Sequence, residues 1–103
     1  MTVAVSPSIT YARRYRTHVK GRAMDAKTKE LVALAIAVSK ECDGCIAAHA
    51  HAAVQHGATP QEATEAFGVA FLMNGGPATV YGARAFAAFR EFYEQRSACL
   101  PCG

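Results

Sequence analysis

The sequence predicts an all-α fold, a single domain of five to six helices, from three observations. Alanine occupies 22 of the 103 positions, against 8 glycines and 4 prolines, and this composition favours close-packed helices over sheets. Apolar residues recur at separations of three and four, the period of an amphipathic helix. Capping residues and glycines punctuate these segments where helices would begin and end. A chain of this length needs no second domain.

The chain divides into an N-terminal arm, residues 1–7, a helical domain, residues 8–96, and a C-terminal tail, residues 97–103, that carries a second cysteine pair. The domain begins with a helix to about residue 20, which Ser8 can cap and Gly21 would end. One face of this helix is apolar at four-residue spacing. The residues on that face are Tyr11, Tyr15 and Val19.

The second predicted helix, Ala26 to about Ser39, is nearly apolar on all sides after Glu30. Asp25 has a short acceptor side chain suited to cap its start. A helix that is apolar all round is contacted from several sides, so we expect it at the centre of the domain. If it continued without interruption, Glu30 and Cys42 would lie about 18 Å apart along the axis and could not cooperate. A break within Lys40–Gly44, which contains poor helix formers, would instead fold the chain back.

Strong boundary signals define the next helices. A third helix would run to His56, with Gly57 as its C-terminal glycine. The segment Thr59-Pro60-Gln61-Glu62 is a capping box with proline at the first helical position, so a fourth helix starts there and runs to Asn74. The segment Gly75-Gly76-Pro77 ends that helix and opens the last one.

The last helix reaches about Arg96 and carries Phe86, Phe89 and Tyr93 on one stripe. The fourth and fifth helices are apolar over more than one face. The additional apolar residues are Val69, Leu72, Met73 and Phe92. Because a monomer of this size could hardly cover them, we expect a homo-oligomer with helical interfaces.

The net charge of +3 is mild, and the basic residues are concentrated near the N-terminus. Tyr11 and Tyr15 interleave with them, so stacking on RNA could be imagined. A solvated helix face with two tyrosines turned to the core explains the same residues, and we therefore expect no nucleic-acid partner. The basic residues are Arg13, Arg14, Arg16, Lys20 and Arg22.

Neither export nor membrane insertion is expected. The first residues lack a basic start followed by a long apolar run, so they do not resemble a secretory signal. The longest strongly apolar run, Leu31–Val38, is far shorter than the roughly 20 residues of a membrane crossing. These features predict a cytoplasmic protein. Four cysteines in such a chain favour redox chemistry or metal binding over a structural disulfide framework.

The reactive side chains are concentrated in residues 41–49. On a helix that begins near Asp43, Cys42, Cys45 and His49 fall on one side, because separations of three and four return to the same face. A thiol with an ordinary pKa of about 8.5 is mostly protonated at neutral pH. The N-terminus of a helix and a neighbouring imidazole both favour the thiolate. A Cys-x-x-Cys pair can also close into a disulfide, so this stretch indicates a redox dithiol.

Other interpretations of these residues remain. The two core thiols could be inert and buried, and the chain could be an oligomeric redox sensor or scaffold instead of an enzyme. Zinc could bind three ligands here with a fourth elsewhere, although zinc sites usually draw on two separated pairs. The tail pair could carry electrons, bind a metal or have no function. The zinc ligands would be Cys42, Cys45 and His49 with His56, Cys99 or Cys102.

Several of these residues and turns occur together in one known group of proteins. They are Glu30, Cys42, Cys45 and His49, followed by the Gly57-Ala58-Thr59 turn and the Gly75-Gly76-Pro77 corner. In this combination residues 8–93 resemble the carboxymuconolactone decarboxylase superfamily, and more closely its AhpD-type alkylhydroperoxidase branch. The resemblance implies an all-helical fold assembled as trimers or hexamers. It also implies a thiol peroxidase or disulfide reductase that works without metal or haem, with a hydroperoxide substrate and a dithiol or thioredoxin-like reductant.

The resemblance also implies roles for the matching residues. Cys45 would be the thiolate that attacks peroxide, Cys42 the resolving thiol, and Glu30 with His49 a proton relay. By itself, Glu30 near a helix start is equally consistent with a capping or solvent-facing role. The better-known members carry a second histidine where this chain has Gly44, so the implied relay is shorter. The decarboxylase branch lacks the dithiol, which argues against lactone decarboxylation.

Overall fold

The computed structural model describes residues 23–99, with side chains through residue 98. The predicted arm, the predicted helix over residues 8–20 and Cys102 of the tail pair lie outside the described part, whereas Cys99 is its last residue. Every regular element within residues 23–99 is an α-helix, so the all-α prediction is confirmed for this part of the chain. The helices are α1, Ala26–Ser39; α2, Asp43–Gln55; α3, Pro60–Asn74; and α4, Gly76–Cys99. These are four of the five to six helices predicted for the whole chain.

The helix boundaries follow the local sequence signals. Asp25 Oδ1 accepts from the Thr28 amide at 2.8 Å and caps α1. At the start of α3, Thr59 Oγ1 accepts from the Glu62 amide at 3.1 Å, and Glu62 Oε1 accepts from the Thr59 amide at 2.9 Å, which is the predicted capping box. Gly75 follows α3 with φ 73°, a conformation that side chains disfavour. The last helix continues to Cys99, three residues beyond the predicted end near Arg96.

The chain reverses between α1 and α2, as the sequence predicted, within residues 40–42. Glu41 takes φ 55°, in the left-handed region that residues other than glycine rarely adopt. The Cys42 amide then donates to the Ala37 carbonyl at 3.1 Å, which closes the turn. Asp43 and Gly44, whose poor helix propensity made the break plausible, form the first turn of α2, which begins at Asp43 as predicted. The amides of the first turn have no partner within the helix, so Asp and Gly are less unfavourable there than in a helix interior.

Helices α1 and α3 lie side by side and run in the same direction. Near their starts, Lys27 Nζ donates to Glu62 Oε2 at 2.9 Å. Near their ends, Asn74 Nδ2 donates to Ser39 Oγ at 2.6 Å. Both contacts join residues 35 positions apart, so the register is constant along the pair.

Helices α2 and α4 form a second parallel pair. Arg84 Nη1 donates to both carboxylate oxygens of Asp43 at 2.9 Å near the start of α2. At the other end, Arg96 donates to the Val54 carbonyl oxygen. The separations of 41 and 42 positions show that α4 follows α2 along its length. The C-terminal end of α4 therefore lies at the opposite end of α2 from the cysteine pair.

The core contains few large side chains and many alanines, which permit close approach of the helices. Eight of the fourteen buried apolar residues are alanine. Glu30 is the buried charged residue among those described. The larger core side chains are Leu34, Val38, Ile46, Val54, Phe67 and Phe89.

Several large apolar side chains remain exposed on α1, α3 and α4. Leu72 and Met73, at the C-terminal end of α3, are 81% and 75% exposed, and Phe71 is 37% exposed. The sequence predicted uncovered apolar residues on α3, and the structure confirms them. Phe92 on α4 was also predicted to be uncovered, and this is wrong, because it is half-buried against the core. The other exposed apolar residues on these helices are Val32, Ile36, Val69 and Val80. Within residues 23–99, no helix combines the length and apolar character that a membrane crossing needs.

Candidate redox site

The cysteine pair lies at the N-terminus of α2, as the sequence predicted. Cys42 is the N-cap, and its Sγ accepts from the Cys45 amide at 3.2 Å. The two cysteines form a disulfide, with their Cα atoms 5.2 Å apart. Both side chains are half-buried. In the reduced protein, the same amide and the positive end of the helix dipole favour the thiolate at Cys42.

A buried carboxylate lies against α2 one turn after the cysteines. Glu30 Oε1, from α1, is 2.7 Å from His49 Nδ1. The Glu30 side chain is 1% exposed and the His49 side chain 12%. The alternative that Glu30 faces solvent or only caps its helix is therefore wrong. The reversal at residues 40–42 folds α1 back along α2 and brings these two side chains together.

The second carboxylate oxygen of Glu30 has an unusual environment. Oε2 is buried and has no hydrogen-bond partner among the described residues. Buried polar atoms without a partner are rare, because burial removes the hydrogen bonds to water and no hydrogen bond within the protein replaces them. This oxygen can accept a further hydrogen bond from a water or a thiol at the site.

A cleft of about 220 Å³ opens beside the cysteine pair. Cys45 and His49 line it from α2, whereas Cys42 does not. Its other walls are three apolar side chains of α1 and one lysine. The α1 residues are Ala33, Ile36, Ala37 and Lys40, the last at the C-cap. A molecule in this cleft would meet Cys45 and the imidazole before it met Cys42.

An ion pair fixes the residue that follows Cys42. Asp43 accepts both hydrogen bonds of the Arg84 guanidinium, which also lies 4.7 Å from the centre of the Tyr81 ring. The hydrogen bond to Asp43 raises the pKa of Arg84 above its ordinary value. Sequence reasoning missed Arg84, because nothing local connects two residues 41 positions apart. The pair holds the N-terminus of α2 against α4.

The remaining histidines of α2 and its C-cap lie away from the cysteine pair's cleft. His51 and His56, the latter a candidate fourth zinc ligand, are both exposed. Gly44 is exposed as well, and a Cβ built there would meet nothing within 4 Å. Among the described residues, no three His, Cys, Asp or Glu side chains converge to hold a metal ion. The zinc alternative draws no support from this part of the chain.

Two curated proteins are similar to this chain over about two thirds of its length. The chain is 39% identical over 66 residues to an uncharacterized protein of Cupriavidus necator, and the matching region covers 64% of this chain and 58% of that protein. It is 46% identical over 70 residues to an uncharacterized protein of Haemophilus influenzae, and the matching region covers 68% of this chain and 62% of that protein. The matches thus span about three fifths of the length of these relatives.

Two solved structures share the fold. One is a carboxymuconolactone decarboxylase family protein from Legionella pneumophila, with a TM-score of 0.80, 41% identity, and coverage of 84% of this chain and 78% of that one. The other is a protein of the same family from Thermotoga maritima, for which a role in the antioxidative response has been suggested. It has a TM-score of 0.79, 26% identity, and coverage of 91% of this chain and 80% of that one.

The sequence itself matches the carboxymuconolactone decarboxylase family over residues 10–88, which is most of its length. Sequence and fold therefore agree, and the chain belongs to the carboxymuconolactone decarboxylase family.

Proposed function

We propose that this protein is a thiol-dependent hydroperoxidase of the AhpD type, with disulfide reductase activity as the related alternative. The observation that carries the proposal is the placement of the Cys42–Cys45 pair beside the buried Glu30–His49 pair. A thiol pair that can form a disulfide supplies the two electrons, and a buried imidazole held by a carboxylate supplies a proton acceptor. The role suggested for the Thermotoga maritima relative is consistent with this chemistry.

In the proposed cycle, His49 takes the proton of the Cys45 thiol. The thiolate attacks the terminal oxygen of a hydroperoxide and the O–O bond breaks. The alkoxide leaves as the alcohol with a proton from the imidazolium, and Cys45 becomes a sulfenic acid. The Cys42 thiol gives up its proton and attacks that sulfur, the S–O bond breaks, the departing hydroxide takes the proton and leaves as water, and the disulfide forms. An external dithiol then reduces the disulfide by thiol exchange and is itself oxidised.

Glu30 would set the proton chemistry of the imidazole. An ionised carboxylate can only accept hydrogen bonds, so Nδ1 of His49 carries the proton and proton exchange with the thiol falls to Nε2. The negative charge 2.7 Å from Nδ1 also stabilises the imidazolium that forms when the thiol ionises. The second oxygen, Oε2, can accept from a water that links the carboxylate to the cysteines.

The position of Cys42 favours the disulfide reductase alternative. Its Sγ accepts the Cys45 amide hydrogen at 3.2 Å, a contact that stabilises the thiolate, which is the species that attacks disulfides. Cys45, in contrast, lines the open cleft with His49. The two activities would thus use different first nucleophiles, and this difference separates them experimentally.

The exposed apolar residues support a homo-oligomer, trimer or hexamer, as part of the proposal. Leu72 and Met73 project from the end of α3, and Val69, Phe71 and Val80 are also exposed there or on α4. Apolar side chains of this size on adjacent helices mark protein contacts. Light scattering at micromolar concentration should give more than one chain, and a monomer would contradict this part of the proposal.

Stopped-flow oxidation of the reduced protein tests the function. The protein should carry Cys99→Ser and Cys102→Ser, because truncation near Arg96 would remove the last turn of α4 and disturb the Arg96 contact to Val54. We expect loss of two thiols per chain with an organic hydroperoxide, much faster than a free thiol reacts, and turnover when a dithiol is added. The Cys42→Ser/Cys45→Ser protein is the control. Oxidation no faster than that of a free thiol would reject the peroxidase.

A further inference from the structure

The cleft beside Cys45 combines apolar walls with one cation at its edge. Ala33, Ile36 and Ala37 form the α1 side, and Ile36 is 53% exposed. These side chains offer no hydrogen bonds to a small polar molecule such as hydrogen peroxide. An apolar group placed on them would be removed from water, which favours its binding.

Lys40 is the charged side chain of the cleft lining. It is exposed at the C-cap of α1, about one turn beyond Ile36, and it has no ion pair with a described residue. Because the cleft walls are apolar, it is the methylene stem of Lys40 that lines them, and the charged end belongs to the exposed rim. A ligand that reaches Cys45 along the apolar wall therefore lies within reach of the Lys40 side chain.

We infer that the cleft selects organic hydroperoxides that carry both an apolar group and a carboxylate, with Lys40 as the residue that recognises the carboxylate. The inference rests on the proposed peroxidase function and names its substrate class. The apolar group would pack on Ile36 and the α1 alanines, the carboxylate would pair with Lys40, and the hydroperoxide would lie at Cys45. The reaction is the one already described, in which the hydroperoxide becomes the alcohol and the carboxylate is unchanged.

The test compares a hydroperoxide of a fatty acid with the hydroperoxide of its methyl ester, using the full chain with the tail cysteines replaced by serine. The two probes share the apolar chain and the reacting group and differ in charge. We expect kcat/KM to favour the acid by about 1.5-fold to fivefold, the range typical of an exposed ion pair. Lys40→Met should abolish this preference, Lys40→Arg should keep it, and Lys40→Glu should reverse it. Arg90→Met removes a positive charge that is bound to Glu94 on α4, and it should leave the preference unchanged.

Two further measurements separate selection from a general effect. Each rate is divided by the rate with hydrogen peroxide in the same variant, because loss of a charge near Cys45 slows every oxidant whereas only the acid loses an ion pair. Lys40→Met should lower this ratio for the acid and not for the ester, and Ile36→Ser should lower it for both fatty-acid probes. Equal rates for acid and ester in the parent protein, or a preference that survives Lys40→Met, would overturn the inference.

The outcomes also distinguish this inference from the proposed function. If both probes oxidise the cysteine pair rapidly but equally, the peroxidase stands and the substrate class is wrong. If no hydroperoxide reacts faster than with a free thiol, the function itself fails. If Ile36→Ser dissociates an oligomer and leaves the rates unchanged, a second copy of the chain covers this face and the inference is overturned.

Discussion

Glu30 Oε1 lies 2.7 Å from His49 Nδ1, although the two residues are 19 positions apart and belong to different helices. The contact depends on the turn at residues 40–42, which reverses the chain and places α1 along α2. Without that turn, the carboxylate would be separated from the cysteine pair by roughly the length of three helical turns. The geometry of one short connection therefore decides whether the acid, the imidazole and the thiols form one site.

The first prediction concerns this pair. Glu30→Gln keeps the volume of the side chain and a hydrogen bond to His49 but removes the charge that stabilises an imidazolium. His49→Ala removes the proton acceptor. Both variants should oxidise about a hundredfold more slowly near neutral pH, the contribution typical of general base assistance. Stopped-flow measurement from pH 5 to 9 checks this.

Glu91→Gln, an exposed carboxylate on α4, is the matched control and should react at the parent rate. Circular dichroism should show that all three variants remain folded. If Glu30→Gln and His49→Ala follow the parent rate across the whole pH range, Glu30 and His49 do not form a relay. Glu30→Gln is a cleaner test than Glu30→Ala, because removal of a buried side chain also leaves a cavity.

The sequence was informative where the cause is local. The capping box at Thr59 and Glu62, the cap at Asp25 and the glycine at position 75 each act within a few residues, and all lie where the sequence placed them. The same holds for Cys42, Cys45 and His49, because helical spacing alone puts them on one side of α2.

Contacts made by the tertiary fold were not predictable in the same way. The sequence left Glu30 equally suited to solvent, and only its packing against α2 buries it. The pairing of Asp43 with Arg84 joins two helices that no local pattern connects. The positive φ of Glu41 was also not predicted, because a glutamate in the sequence gives no signal of it. The tight turn imposes that conformation, which ordinarily costs about 1–2 kcal/mol.

The second prediction uses the position between the cysteines. Gly44 is exposed, and a Cβ there meets nothing within 4 Å among the described residues. Gly44→His should therefore be accommodated and should place an additional proton acceptor next to both thiols, which would raise the rate of peroxide oxidation several-fold at neutral pH. Gly44→Ala should leave the rate unchanged and stabilise the protein by no more than about 0.5 kcal/mol, because helix propensity counts for less in the first turn than in a helix interior. Chemical denaturation and stopped-flow kinetics measure the two effects, and a Gly44→His protein no faster than Gly44→Ala would contradict the prediction.

The third prediction is the pH dependence of the α1–α3 contact. The hydrogen bond from Lys27, with one from the Thr59 amide, lowers the pKa of Glu62 from its ordinary value of 4.5, and the pKa of Lys27 is raised by the same contact. A carboxylate with a lowered pKa in the folded state adds stability above its unfolded pKa, and this is lost as the pH falls through the folded value. Glu62→Gln should thus lower Tm at pH 7, and the difference from the parent should disappear as the pH falls below 4.5.

Glu65→Gln, an exposed carboxylate on the same helix, should cause a smaller change at pH 7. Thermal unfolding followed by circular dichroism at pH 3 and pH 7 suffices. A deficit in Glu62→Gln that is equal at both pH values would mean that the lost stability comes from capping geometry and not from the charge.

The fourth prediction concerns the order of the two thiols. Cys45 lines the cleft with His49, so it should attack the peroxide, whereas Cys42, at the helix N-terminus, should resolve the sulfenic acid. Cys45→Ser should abolish turnover. Cys42→Ser should consume one equivalent of peroxide and stop with a sulfenic acid on Cys45 that a dimedone-type probe labels.

The tail thiols must be absent from these proteins, for a reason that the parallel course of α2 and α4 makes clear. Arg84 lies beside the cysteine pair, and Cys99 is about 22 Å further along α4. The tail of one chain is thus poorly placed to reach its own disulfide, but the tail of another chain in solution could resolve the sulfenic acid. With Cys99→Ser and Cys102→Ser in place, labelling of Cys42 in the Cys45→Ser protein, without labelling of Cys45 in the Cys42→Ser protein, would reverse the roles. That result would assign first attack to the thiol that the Cys45 amide stabilises, and it would favour disulfide exchange over peroxide reduction as the activity of the site.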